Sequence, residues 1–334
     1  MASSTTILHR LVMYNNGRNE MKVRLCALLW FEGCLMSALA LNPAKALTQY
    51  SVTLWSQQQG LPQDTIRAIA QTPDGFLWLG TDEGLARFDG YEFVPFGKSP
   101  GGLPSNSVTV LAAHPDGSLW IGTPNGLTRY LHGRFQTFTQ KDGLPGNAVS
   151  VLFVDHAGAL WIVAGGSLSR FDGSRFTNFI RGRNIPLRVV RGVWEDRDGT
   201  LYVAGTSSVV RLEHGSFRDM FGGSVLAGDF PSAALKDHQG NLWVLGFRGL
   251  VRESPGGRIS RYGSQAGLTD PFELQGMKVD RDGNLWVATN SGLARLEGDR
   301  FHTLSDGPAQ AGVRCVFEDR DGNLWAGTNR GLLR

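Results

Sequence analysis

The sequence predicts an all-β fold, a seven-bladed β-propeller of four-stranded antiparallel blades closed by the N-terminal strand. Three observations predict it. A block built around Asp-Gly-x-Leu-Trp recurs seven times, with anchor aromatics at Trp78, Trp120, Trp161, Tyr202, Trp243, Trp286 and Trp325. The anchors are 42, 41, 41, 41, 43 and 39 residues apart. Short strands and turn residues at such a period mark propeller blades. The two ends of the chain are also complementary, one offering a lone strand and the other an incomplete blade.

Residues 1–46 form a leader outside the repeats, and residues 47–334 form the propeller domain. Within the leader, residues 21–46 read as an export signal. Lys22 and Arg24 precede a mostly apolar run from Leu25 to Leu41, and Ala44-Lys45-Ala46 fits a small-x-small cleavage site. Met21 is the better initiator, because the twenty residues before it resemble neither a signal nor a blade. Glu32 interrupts the apolar run, so a cleaved signal is favoured over a retained membrane anchor. Cys26 and Cys34 lie inside this segment, which leaves Cys315 as the one cysteine of the mature chain and no internal disulfide.

Each block aligns without gaps when the anchor is numbered zero. Apolar residues at positions −12 and −9, such as Ile66 and Ile69, flank a first strand. Position −10 is mostly small (Ala68, Val110, Val151, Gly192, Ala233, Gly276, Cys315), as an innermost strand crowded around a channel requires. Cys315 is therefore expected to be one member of a small-residue column rather than a reactive thiol. A turn follows, with glycine at position −3 in all seven blocks, from Gly75 to Gly322. The second strand carries the anchor. A second turn ends in Gly-Leu pairs such as Gly84-Leu85 and Gly331-Leu332 and opens the third strand. Phe93/Phe96, Phe135/Phe138, Phe176/Phe179 and Phe301/Leu304 mark the fourth.

Position +9 is arginine in every block: Arg87, Arg129, Arg170, Arg211, Arg252, Arg295 and Arg334. Seven equivalent copies cannot make one asymmetric site. A structural role is expected, each guanidinium lying near the anchor ring in a cation–π contact of about 0.5–2 kcal/mol. The last block ends at Arg334 after its third strand, while Val52 and Trp55 align with the fourth-strand positions Phe135 and Phe138. Joining the two ends completes the seventh blade and removes two exposed sheet edges.

Charge excludes one partner class. The chain has 33 basic and 30 acidic residues; residues 1–46 hold five and two of them, so the body carries 28 of each. A neutral body offers no electrostatic footprint for nucleic acid.

Blocks such as Asp282-Gly-Asn-Leu-Trp-Val-Ala-Thr-Asn-Ser-Gly-Leu-Ala-Arg295 and Gly143-Leu-Pro-Gly-Asn-Ala-Val-Ser-Val-Leu resemble the two-component regulator propeller repeat. The resemblance implies an exported sensory region of a bacterial receptor and a small-molecule or glycan ligand. It also implies an output module, commonly a histidine kinase and less often a diguanylate cyclase. Full-length relatives often hold two rings of repeats, a β-sandwich domain, a membrane helix and the output module. This chain shows a single ring's worth of repeats, the expectation for a truncated reading frame or a stand-alone sensor in the periplasm.

Familiar catalytic motifs are absent from the sequence: no nucleotide-binding glycine loop, His-Glu-x-x-His, Cys-x-x-Cys or Gly-x-Ser-x-Gly occurs. The histidines show no metal-ligand spacing, and His114, His156 and His238 fall in or beside turns. Asp280-Arg-Asp282-Gly283 and its counterparts at Asp196 and Asp319 lack the later oxygen ligands of a calcium loop, so a hairpin turn is expected. No catalytic residue, cofactor or metal is assigned.

In a propeller the second-to-third hairpins and the loops entering the first strands emerge on one face around a central funnel. Seven variable tips converge there, the expected place for recognition. Asp82, Glu83, Asn125, Phe247, Arg248, Asn290, Asn329 and Arg330 are the candidate ligand-binding residues. The polar ones suit a polyhydroxylated or anionic ligand, and Phe247 could stack on a sugar face. Two other functions fit the same scaffold. The blocks look somewhat like those of streptogramin lyases, propeller enzymes using a histidine, acidic residues and a magnesium ion, although no histidine falls on the expected funnel face. The other is a passive scaffold binding protein through its blade rims.

Overall fold

The computed structural model describes residues 52–180, 183–206, 208–221, 226, 228–268, 276–304 and 311–334. The export signal expected at residues 21–46 lies outside the described residues. The first strand, β1 (Leu54–Trp55), belongs to the last blade. Blade 1 holds β2 (Ile66–Gln71), β3 (Leu77–Thr81), β4 (Gly84–Phe88) and β5 (Phe93–Phe96). Blade 2 holds β6 (Val110–Ala113), β7 (Leu119–Thr123), β8 (Gly126–Leu131) and β9 (Arg134–Phe138). In blade 3 these are β10 (Val149–Val154), β11 (Leu160–Ala164), β12 (Ser167–Phe171) and β13 (Phe176–Phe179). Blade 4 comprises β14 (Val190–Glu195), β15 (Leu201–Gly205), β16 (Val209–Glu213) and β17 (Ser216–Asp219). Blade 5 follows as β18 (Ala233–Lys236), β19 (Leu242–Gly246), β20 (Gly249–Glu253) and β21 (Ile259–Tyr262). Blade 6 is β22 (Gly276–Val279), β23 (Leu285–Thr289), β24 (Gly292–Glu297) and β25 (Arg300–Leu304). Blade 7 is β26 (Val313–Glu318), β27 (Leu324–Thr328), β28 (Leu332–Leu333) and, from the other end of the chain, β1.

The seven sheets are four-stranded and antiparallel. Their first strands pack on one another in cyclic order, β2 to β6 and onward to β26, which returns to β2. The ring closes as expected. Leu54 lies opposite Leu333 and Trp55 opposite Leu332. Thr53 and Arg334 exchange amide-to-carbonyl hydrogen bonds of 3.0 and 3.1 Å.

The core sits between blades, because an anchor ring is too large to be buried by its own sheet. All seven anchors are buried. Trp78 packs on Phe96 of its own fourth strand (5.6 Å between ring centroids) and on Tyr130 of the next blade (5.1 Å). Trp120 repeats this with Phe138 and Phe171. At the closure Trp325 meets Trp55 and Phe88, so the first strand carries an aromatic where blades 1, 2 and 3 carry a fourth-strand phenylalanine, blade 5 a tyrosine and blade 6 a leucine.

The first turn is held by position −6. Asp155, Asp237, Asp280 and Asp319 each accept the anchor's indole N–H at 2.6–2.8 Å, and Asp196 accepts the Tyr202 hydroxyl. The other carboxylate oxygen of Asp280 accepts the amides of Asp282 and Asn284. The Asp-x-Asp-Gly segments are thus turns, in agreement with the hairpin reading. In blade 1 Thr72 takes the indole proton instead, while in blade 2 His114 stands there and Trp120 Nε1 is buried without a partner.

The +9 arginines follow the expected contact in five blades. The guanidinium carbons of Arg129, Arg170, Arg252, Arg295 and Arg334 lie 5.5–5.9 Å from their anchor ring centroids. Two blades depart from the expectation. Arg87 lies over Phe76, 4.4 Å from its centroid, because Phe76 offers a closer ring on the same turn. In blade 4 Lys236 of the next blade takes the place over Tyr202, and Arg211 pairs with Glu213 at 2.6 Å. Cys315 fits its small-residue column: a Cβ on Gly327 would come within 2.6 Å of its Sγ. Burial pushes its thiol up to about 12, so it stays protonated.

Candidate functional site

The funnel-face hairpins share one frame. Threonine at +3 is fully buried in blades 1, 2, 6 and 7. In each, its hydroxyl donates to the glycine carbonyl at +6 (Thr81 to Gly84, Thr123 to Gly126, Thr289 to Gly292, Thr328 to Gly331; 2.8–3.0 Å). The same oxygen accepts the amide at +5, from Glu83, Asn125, Ser291 and Arg330. The tip backbone is therefore fixed while the side chains at +4 and +5 vary. The entry loops are fixed too. Ser56 and Thr139 cap single-turn 3-10 helices, Gln57–Gln59 and Gln140–Asp142, in reciprocal capping boxes, and Gly60 and Gly143 end them at φ 103°.

The structure distributes the candidate residues unevenly. Asp82 is engaged: Arg67 grips it with two hydrogen bonds of 2.5 and 3.1 Å, and the Ser107 hydroxyl of the next blade adds a third. Asn329 accepts from Arg314 at 2.8 Å. Asn125 reaches the Pro104 carbonyl of its entry loop at 3.4 Å. Glu83, Arg248 and Arg330 are exposed, Asn290 is half-buried, and Phe247 is 54% exposed.

Arg67 and Arg314 were not among the candidates, and they share a position. Each stands at −11 on an innermost strand, where the ladder slips by one residue between Ile66 and Ala68 or between Val313 and Cys315. Such a bulge re-aims a side chain. Blade 4 repeats it between Val190 and Gly192, which presents Arg191. Polar residues at −11, between apolar −12 and small −10, were the available signal in the sequence.

The opposite face links neighbouring blades. The amides of His156, Arg281 and Arg320 donate across the blade boundary to Glu195, Glu318 and Gln71 at 2.8–3.2 Å. His156 Nδ1 also meets Glu195 at 2.6 Å, and this hydrogen bond and charge hold the imidazole above its ordinary pKa. His114 Nε2 meets the Gly158 carbonyl at 2.8 Å. Burial opposes ionisation of Asp116, yet hydrogen bonds from Ser118 and His114 bring it down to about 2. His132 and His214 occupy the left-handed first position of two-residue turns, at φ 48° and 47°. Cavities line this side of blades 1–3, one of about 460 Å³ among Thr72, Trp78, Arg87, Tyr130 and His132. Among the described residues, no three His, Cys, Asp or Glu side chains are grouped to hold a metal ion.

These features define a closed seven-bladed propeller with a fixed frame and a variable funnel face. The two-component regulator propeller model matches residues 60–83, 102–125 and 307–330, the first two segments running from an entry-loop glycine to a hairpin tip. No curated protein matches the sequence. Among solved structures, the chain is similar to the extracellular domain of BT3049 from B. thetaiotaomicron, described as a hybrid two component system. The identity is 22%, the TM-score 0.71, and the match covers 85% of this chain and 41% of that one. It is also similar to the virginiamycin B lyase of Staphylococcus aureus, at 13% identity and TM-score 0.66, covering 85% and 97% of the two chains. A third similar structure is PorZ, a surface component of the type-IX secretion system of Porphyromonas gingivalis (18%, TM-score 0.63, covering 82% and 47%). The chain spans less than half the length of the BT3049 domain. At these identities the likeness is one of fold. No helix among the described residues is long and apolar enough to cross a membrane.

Proposed function

We propose that the chain is the exported ligand-sensing propeller of a two-component signalling receptor, recognising a small molecule or glycan through its funnel-face loops. The observation that carries this reading is the contrast at the hairpin tips. The buried threonine staple repeats in blades 1, 2, 6 and 7 while their positions +4 and +5 read Asp82-Glu83, Pro124-Asn125, Asn290-Ser291 and Asn329-Arg330; blade 5, with Gly246 at +3, presents Phe247-Arg248. A rigid frame carrying non-equivalent tips suits a single asymmetric ligand, because ordering the loops costs little on binding. The likeness to extracellular two-component sensor domains supports an extracytoplasmic location and an output module, a histidine kinase or a diguanylate cyclase, biased by ligand binding.

The lyase alternative gains support from the likeness to the virginiamycin B lyase, and the placement of the histidines weighs against it. His114, His156, His238, His132 and His214 all sit in turns on the side away from the funnel.

A thermal-shift screen of the full chain against neutral and acidic oligosaccharides and metabolites tests the proposal. A ligand at 100 times its Kd should add about 2.7 kcal/mol of stability, a rise of several degrees in Tm. A library that leaves Tm unmoved throughout contradicts it.

A further inference from the structure

We infer that the funnel face carries, at the junction of blades 4 and 5, a subsite for a ring that bears a carboxylate, formed by Phe230, Phe247 and Arg191. This deepens the proposed function and rests on it. Phe247 is 54% exposed at the β19–β20 tip, and Phe230 is 44% exposed on the loop entering β18. Their rings meet edge to face, 6.3 Å apart at 85°, and enclose an apolar corner. Val189, on the loop entering β14, is also exposed.

Leaving about half of each phenylalanine exposed forgoes part of the stabilisation that burial would give, and Phe230 also holds a left-handed backbone at φ 46°. A non-glycine residue there costs on the order of 1 kcal/mol, and such strain concentrates where a side chain must be presented. The corner is also preset. The Phe247 amide donates to the Asp229 carbonyl, and the buried Asp229 carboxylate accepts from Arg261 at 2.6 Å. A hydrophobic corner held by buried bonds pays little ordering entropy when a ring stacks on it.

Arg191 supplies the charge. Its guanidinium carbon lies 5.7 Å from the Phe230 ring centroid. The same −11 bulge carries Arg67 in blade 1 and Arg314 in blade 7, where the +4 residues Asp82 and Asn329 engage the guanidinium. In blade 4 the +4 residue is Thr206, which supplies neither carboxylate nor amide. Arg191 forms no hydrogen bond or ion pair among the described residues. Arg248 adds a second exposed cation beside Phe247, its Nη2 3.7 Å from where a Cβ on Gly228 would stand. A planar guanidinium fork matches a carboxylate through two parallel hydrogen bonds, so the corner selects a ring with an attached acid over a neutral one.

Isothermal titration of the full chain with a glucuronate-containing disaccharide, its neutral glucose counterpart and benzoate tests this. One acidic probe should bind, and the neutral sugar should bind at least tenfold more weakly. Binding of the disaccharide identifies an acidic saccharide as the ligand source, and binding of benzoate identifies an aromatic acid. Phe247→Ala and Arg191→Met should each weaken that binding at least tenfold with Tm unchanged, and Arg175→Met, on the opposite face, should leave it unaltered. Should Arg191→Met fail to fold, Arg191→Lys keeps the charge and removes the fork, and the same loss is expected. Unchanged affinity in these variants, a preference for the neutral sugar, or no binding of either acid overturns the subsite. Ligands that stabilise the chain in the wider screen through other tips would leave the sensing function standing while this subsite fell.

Discussion

Aspartate at −6 does more in this protein than form a turn. In Asp280 one carboxylate closes the loop through two backbone amides and fixes the Trp286 indole. Hydrogen bonds to a charged group are worth about 1.5–3 kcal/mol each, and loss of the acceptor leaves a buried donor unpaired. Asp280→Ala should therefore lower the unfolding free energy by about 2–4 kcal/mol in urea denaturation. The aspartate column was readable in the sequence, but the indole bond was not, because it depends on which way the anchor ring is turned. The arginine column shows the reverse limit. Its contact with the anchor was predictable from cross-strand pairing, yet Phe76 and Lys236, from outside the pair, displace it in two blades. His156 gives a pH-dependent counterpart. Its folded pKa is raised by Glu195, so the stabilisation is fully present below the unfolded value of about 6.5 and is lost as pH rises through the folded pKa. Thermal melts should thus show wild type losing its advantage over His156→Gln above that window, and parallel curves for the two proteins would contradict the assignment.

At the scale of the element, glycine at +6 decides whether third and fourth strands can pair. Gly331 has φ 129°, and a Cβ there would stand 2.0 Å from the Trp55 carbonyl oxygen of the closing strand. Gly84 meets Phe96 and Gly249 meets Tyr262 in the same way. Gly331→Ala should then cost on the order of 3 kcal/mol, combining strain with a backbone clash. Gly298→Ala, at φ 62° with open space around it, should cost on the order of 1 kcal/mol. Chemical denaturation of the two variants measures the difference, and equal costs would show that contact with the first strand is unimportant. The Gly-Leu pairs were visible as turn markers because glycine's freedom has a sequence signature. Their fit against a carbonyl twelve or thirteen residues away, or at the far end of the chain, has none.

For the whole molecule, periodicity made the seven blades and their closure legible, because each blade buries its aromatic anchor only against a neighbour. The funnel face was legible as a location and less so as chemistry. Asp82 and Asn329, expected to face a ligand, are engaged by Arg67 and Arg314 from the bulges, while Arg191 from the same position is exposed to the funnel. The polar residue at −11 was visible in the sequence, but the direction in which the bulge aims it was not, since a single slipped residue changes what a strand presents without changing its hydrophobic pattern. The central claim is that one face of a rigid ring receives the ligand. Hydrogen–deuterium exchange with a stabilising ligand from the screen tests it most directly. The account predicts slowed exchange at the amides of the hairpin tips, residues 82–83, 247–248 and 329–330 among them, with the Asp-Gly turns on the other side unchanged. Protection confined to those turns, or to the outer strands, would contradict it.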